Sequence, residues 1–438
     1  MQTCDLIIKN GTLVQHTGME VGNIAIHDGK IAALGDTSNY ASSRTIDAGR
    51  LHVLPGVIDS HVHFREPGNE HKENFVTGSL AAILGGVTTI FDMPNTLPPT
   101  TTLETLCDKI GAASGRMHCD FAFYFGANTN NIALLNQAET TRGVVGIKVF
   151  LGPTTDSLHV SPSTLEIILK HTSRRIAIHS ECGDRILARE YLRRYNDPTS
   201  HAEWRDAIAA ETSTRQVIEI ATRLQRNVHI LHVTSSNEVP LIEGCDDMLV
   251  TSEVTPHHLT FDTTSQANQG TYLQVNPPIR SRDHRDCLFQ ALRDGIITTI
   301  GSDHAPHTRE EKSCHYPNSP SGVPGVQTLV SVMLDHIHKK RLKLQDFVRL
   351  TSYGPHIVFG IKNKGRMVCG YDADFTIVDM KKEREIENSW IASRARWTPY
   401  AGMKTTGAPV GTMIRGRLVM WNDEITAPPQ GTLVQFTS

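Results

Sequence analysis

Between residues 53 and 364, short apolar β-like runs alternate with longer segments whose apolar residues recur at three- and four-residue spacings. Eight such runs can be counted: VLPGVIDSHVHF, VTTIFDMPN, CDFAFYFGA, VVGIKVFLG, RIAIHSE, VHILHVTS, MLVTSEVTP and IITTIGSDHAP. Segments such as LETLCDKIGAAS and WRDAIAAETSTRQVIEIATRLQ lie between them and read as helices. Eight βα units in roughly 300 residues are what a closed (β/α)8 TIM-like barrel requires. An open doubly wound sheet is the alternative, but no GxGxxG turn follows the first run, so a dinucleotide-binding fold has no support.

The two ends of the chain read differently. LIIKNGTLV and NIAIHDGKIAAL carry Asn-Gly and Asp-Gly turn signals among β-rich residues, and DADFTIVDM, GTMIRGRLVMW and GTLVQF repeat the style near the C-terminus. Residues 1–52 and 365–438 are therefore expected to build one small β-sandwich domain from both termini, beside an α/β barrel of residues 53–364.

Charge narrows the ligand class. With 43 basic and 46 acidic residues, a formal net charge of −3, the electrostatic footprint of a nucleic-acid binder is missing, and a small molecule is the expected partner. No apolar stretch approaches the roughly 18 to 20 residues that span a bilayer, and MQTCDLIIKNG lacks the form of a signal peptide. A cytoplasmic protein without membrane contact is expected. Its eight cysteines form no CxxC pair and read as reduced thiols.

The apolar runs end in reactive side chains: His61 and His63, Asn95, Lys148, His179, His232, and Asp303 with His304 and His307. In a barrel these are the C-terminal strand ends, where active sites form. His61 and His63 are two apart, so an extended strand points both imidazoles to one side. His179 and His232 each close a run, and each alone reads equally as a hydrogen-bonded core histidine. Asp303 follows an apolar run, where a carboxylate is costly unless paired or coordinating. Together these groups supply nitrogen and oxygen ligands for about two divalent ions of zinc type.

Lys148, embedded in VVGIKVFLG, must shed its charge or find a partner. Three readings compete: a structural ion pair, a Schiff-base nucleophile of the kind barrel aldolases use, or a neutral amine that adds carbon dioxide to give a carbamate. The carbamate is favoured, because its two oxygens can bridge two metals and the aldolase reading leaves four histidines without a role.

DSHVHFREPG, FDMPNT, GIKVFLG, IHSE, LHVTS, EVTPHHL, NPPIR and GSDHAPH, taken in order, resemble the dihydroorotase branch of the cyclic amidohydrolases, in the long-chain type with a bridging lysine. The similarity runs from the N-terminal β segment to the C-terminal one. It implies two zinc ions per chain, one held by His61, His63, Asp303 and carboxylated Lys148, the other by the carbamate, His179 and His232. It also implies that a hydroxide bridging the zinc ions attacks the ring amide of a dihydropyrimidine, with Asp303 as general base and acid. The expected reaction is the reversible cyclisation of N-carbamoyl-L-aspartate to L-dihydroorotate in de novo pyrimidine biosynthesis.

Arg65, two residues beyond His63, is placed to meet the substrate's exocyclic carboxylate, and the resemblance assigns Asn95 and His307 to the same group. Asn276 in VNPPIR suits the ring's imide edge or a plain turn, and Gly322 in SGVPG reads as a backbone contact or a plain turn. His257 and His258 are expected to be structural or to stand behind the ligands, and TREEKSCHYPNSPSG is expected to form a loop over the site. The family pattern makes neither Glu181 nor Cys182 a ligand. Hydantoinases and allantoinases share the HxH pair, the strand lysine and the closing aspartate, and HFREPG and NPP favour dihydroorotase over them. A metal-free, non-catalytic homologue is at odds with a complete ligand set. A homodimer and an aspartate transcarbamoylase partner are both compatible with the resemblance, and the sequence selects neither.

Overall fold

The computed structural model describes residues 2–153 and 158–437. Its centre is the expected barrel. Eight parallel strands follow one another in chain order: β1 (Val57–Val62), β2 (Val87–Asp92), β3 (Asp120–Gly126), β4 (Val144–Phe150), β5 (Ile176–His179), β6 (Val228–Ile230), β7 (Val250–Val254) and β8 (Thr299–Ile300). Just past β8, His304 bridges back to Val62, and the His63 amide donates to the His304 carbonyl at 2.7 Å, which brings the last strand end against the first. Every residue of these strands is buried, as expected where one sheet face fills the barrel and the other lies under helices. The intervening helices start where the sequence supplies caps. Thr102 forms a capping box for Leu103–Ala113, Ser161 caps Pro162–Lys170, and Asp206 caps Ala207–Leu224.

The run VLPGVIDSHVHF, read from sequence as one strand, is two. His52–Pro55 pairs with Phe375–Val378 in the terminal sheet, and Val57–Val62 opens the barrel. Gly56 lies between them, where a Cβ would stand 2.4 Å from Thr88 Oγ1 and 3.0 Å from Asp374 Cβ. The chain passes from one sheet to the other through a residue that has no side chain to clash.

The small β domain expected from both termini is a nine-stranded sheet, in which Leu6–Gln15, Gly18–His27 and Lys30–Gly35 from one end share an order with Phe375–Glu385, Lys404–Ile414 and Arg417–Trp421 from the other. Its core packs Leu6, Ile8, Leu13, Ile24 and Val53 against Phe375, Ile377, Val410 and Met413. Buried charge ties it to the barrel: Lys364 Nζ lies 2.6 Å from Asp120 of β3 and 2.9 Å from Asp372, and Arg415 also pairs with Asp120. Among the described residues no helix is long and apolar enough to cross a membrane. All eight cysteines are free thiols.

Candidate active site

The C-terminal strand ends surround a cavity of about 380 Å³. His61, His63, Arg65, Asn95, Lys148, His179, His232, Asn276, Asp303, His307 and Gly322 all line it, so the candidate ligand and substrate-binding residues named from the sequence share one set of walls. The β-rich runs end earlier than the sequence suggests, at Ile230 and Ile300, which leaves His232 and Asp303 just beyond their strands. Both adopt left-handed backbone, φ +39° and +45°, as does Arg65 at +62°. Such conformations cost non-glycine residues on the order of 1–3 kcal/mol each and persist where the surroundings fix them.

Two clusters of donors face each other. His61 Nε2 and His63 Nε2 lie 3.3 and 3.1 Å from the same oxygen, Asp303 Oδ1. Their other ring nitrogens face acceptors: His61 Nδ1 is 2.7 Å from Glu253 Oε1, and His63 Nδ1 is 2.7 Å from Asn95 Oδ1. Those oxygens take the ring N–H, so in the neutral imidazoles the Nε2 lone pairs point at a carboxylate. A second ring proton or a metal cation between them turns that repulsion into attraction, and the three residues form a group able to hold a metal. The charges show the same demand: burial disfavours a charged His61, yet Asp303 and Glu253 pull its pKa up. Burial would also raise Asp303, but His61 and His63 outweigh it and hold that carboxyl well below the usual range.

In the second cluster His179 Nδ1 is 2.9 Å from His232 Nε2, with the rings nearly perpendicular. His179 Nε2 lies 2.8 Å from Glu181 Oε2, and Glu181 is itself paired with buried Arg205. Glu181 thereby fixes the proton on Nε2 and leaves Nδ1 as the donor atom. The ring centroids of His61 and His232 are 5.4 Å apart, so the clusters adjoin. Lys148 Nζ is buried, 4.3 Å from the centre of the Phe150 ring, and has no hydrogen-bond partner among the described residues. Burial lowers its pKa to about 7, which populates the neutral amine near neutral pH.

Sequence reasoning missed the groups behind the ligands. Glu253 sits in β7, fully buried, and also accepts from Ser60 Oγ at 3.1 Å. The signal was present: an acid inside an apolar strand is as costly as the lysine that drew notice in β4. Gly301 makes room for it, since a Cβ there would stand 2.4 Å from Glu253 Oε2 and 2.9 Å from His61 Cβ. Glu253→Gln is expected to keep the fold while weakening metal retention about 10- to 100-fold, read as metal content against chelator concentration. Unchanged retention would mean that the carboxylate does not orient His61.

Across the cavity Arg65 Nε donates to the Pro306 carbonyl at 3.1 Å, and Nη2 lies 3.2 Å from His307 Nε2. Burial and the Arg65 charge push His307 down to about 3, so it is neutral, whereas burial lowers Arg65 only to about 10 and leaves it a cation. Asn95 spends its oxygen on His63 and has its amide nitrogen left for a ligand. Gly322 donates its N–H to the Gln274 carbonyl at 2.9 Å, so only its carbonyl is free for a ring contact. The segment after His307 does cover the site: Tyr316, Pro317, Ser319, Pro320 and Ser321 are on the wall, and buried Lys312 pins it to the carbonyls of Gln274 and Pro320. His257 and His258 are buried off that wall, and His258 is held by Thr255 and the Pro277 carbonyl.

Residues 52–419 match the model of the amidohydrolase family. The chain is 34% identical over 414 residues to a dihydroorotase of Methanothermobacter thermautotrophicus, covering 92% of each chain. It is 31% identical over 442 residues to an allantoinase of Streptomyces avermitilis, covering 98% of each. Among solved structures, the L-hydantoinase of Arthrobacter aurescens superposes with a TM-score of 0.94 at 31% identity, covering 98% of this chain and 99% of that one.

Proposed function

Because the chain belongs to the amidohydrolase family, we propose that this cyclic amide hydrolase is a zinc-dependent dihydroorotase, interconverting N-carbamoyl-L-aspartate and L-dihydroorotate. The observation that carries the reading is Arg65. It is a cation on the cavity wall that forms no ion pair among the described residues and meets only a carbonyl and a neutral imidazole. A partly desolvated guanidinium of this kind is stabilised when an anion arrives. Dihydroorotate brings a carboxylate to that position; hydantoin and allantoin rings do not. The allantoinase and the L-hydantoinase among the similar proteins support a second reading, a neutral cyclic ureide as substrate.

The donor set fits two divalent ions. His61, His63 and Asp303 would hold one and His179 with His232 the other, and the orphaned amine of Lys148 suits a carbamate, which would supply oxygen ligands to the pair. When bound, such ions supply Lewis acidity, which makes water nucleophilic near neutral pH and polarises the scissile carbonyl. The chain's own residues do the rest. Arg65, His307 and the Asn95 amide clamp the carboxylate, which fixes the ring against the His63–Asp303 side of the cavity. Asp303, within hydrogen-bond reach of His63, accepts the proton of the attacking water and passes it to the departing ring nitrogen. In the synthetic direction the same carboxylate removes a proton from the carbamoyl nitrogen as the ring closes.

Arg65→Met tests the substrate. Removing a charge-assisted pair from a desolvated site costs on the order of 2–5 kcal/mol, so kcat/KM for dihydroorotate should fall about 30-fold or much more. Hydrolysis of dihydrouracil, which has the same ring without the carboxylate, should change little, and metal content should stay at the parent level. Equal losses on both substrates would mean that Arg65 supports the fold or the metal site, and the carboxylate argument would have to be abandoned.

A further inference from the structure

Asn276 has one side-chain oxygen and one amide nitrogen, and which of them faces the cavity decides what part of a ring it reads. Its Oδ1 lies 2.8 Å from His201 Nε2, and the same Nε2 lies 3.1 Å from the backbone carbonyl of Val275. A backbone carbonyl is only an acceptor, so Nε2 must carry the ring proton. That N–H then demands an oxygen from Asn276 as well; the amide nitrogen in its place would set donor against donor. His201 is 3% exposed, and its ring is held edge-on by Trp204 and Tyr316 at centroid distances of 5.7 Å, so it is not free to turn away. The Asn276 amide nitrogen is left without a protein partner among the described residues, on the cavity wall.

We infer that His201 is a positioning residue that locks the Asn276 amide with its NH2 toward the substrate, so that this point of the site recognises a carbonyl oxygen and rejects a ring N–H. This deepens the functional reading above and rests on it only for the identity of the ring. Burial lowers the His201 pKa to about 4, so the ring is neutral near pH 7 and its two nitrogens are unlike. The placement follows from the short helix Ser200–Trp204, one turn of which sets His201 against Asn276 and, four residues on, Arg205 against Glu181 behind His179. One turn of chain therefore supports the substrate side and the metal side together.

A double-mutant cycle on the metal-loaded full chain tests the inference. His201→Phe keeps an edge-on ring and removes the donor; Asn276→Ala removes the reader. Each should lower kcat/KM about tenfold, mainly through KM, and the double variant should fall no further than Asn276→Ala alone. Metal content should equal that of the parent, and His201→Gln, whose amide can donate to the same two oxygens, should recover most of the loss. Asn276→Asp, of the same shape with acceptors only, should lose at least as much as Asn276→Ala. Independent losses that multiply to about a hundredfold in the double variant, or parent-like kcat/KM in Asn276→Asp, would overturn the assignment. Should the parent hydrolyse allantoin or hydantoin and not dihydroorotate, the proposed reaction fails, and the same cycle run on that ring still decides the role of His201.

Discussion

Lys148→Ala is expected to lose more than about 10³-fold in rate, because the shared ligand of both proposed ions disappears with the side chain. The argument begins with what the lysine lacks. Its Nζ has no hydrogen-bond partner among the described residues and lies over the face of Phe150, yet it points into a cavity ringed by ligand-type groups. A structural ion pair would need a carboxylate in contact with that amine. A Schiff-base role would leave His61, His63, His179 and His232 as four imidazoles converging on nothing. The carbamate gives the amine a partner and the histidines a purpose at once, and burial keeps the amine neutral enough to react with carbon dioxide. Metal content of the variant should drop by elemental analysis, and short carboxylic acids such as acetate or propionate should restore part of the rate by entering the space the side chain left. Full activity in the variant without any additive would remove the carbamate from the site. Loss of rate with metal content unchanged would instead point to a role for the free amine.

How far the sequence alone reaches can be judged at particular residues. The barrel was legible because parallel strands buried on both faces are near-continuous apolar runs, and eight of them leave few alternatives. The ligands were legible because polar groups at the ends of such runs have no cheap explanation. His52–Pro55 was not separable from Val57–Val62, because both halves of that run are apolar and only the clash at Gly56 reveals the change of sheet. Glu253 and Glu181 were underweighted because a second carboxylate near a strand end carries no spacing signature; its role is visible only when a ring nitrogen is found 2.7 or 2.8 Å away. His201 could not be reached at all. It lies 75 residues from Asn276 in sequence, on a helix of one turn, and no periodicity links the two.

Asp303→Asn should separate the two duties assigned to that residue. As a ligand, Asp303 offers one oxygen to the space between His61 and His63, and asparagine keeps the same size and a weaker oxygen donor in the same place. As a proton carrier it needs an ionisable group, which the amide lacks. The variant should therefore keep the fold and much of its metal while kcat falls about 10²- to 10⁴-fold with KM near the parent value. Asp303→Ala, which removes both functions, should lose metal as well; the difference between the two variants isolates the ligand role, and the difference between Asp303→Asn and the parent isolates the proton transfer. The pH profile adds a check: the parent needs the carboxylate ionised, and its neighbours hold that pKa well below the usual range, so protonation of Asp303 should not limit the rate at mildly acidic pH. An acidic limb that survives in Asp303→Asn must then belong to another group. If Asp303→Asn turns over within a few-fold of the parent, the proton moves by another route, and His61 and His63, whose Nε2 atoms lie 3.3 and 3.1 Å from Asp303, are the adjacent ionisable side chains.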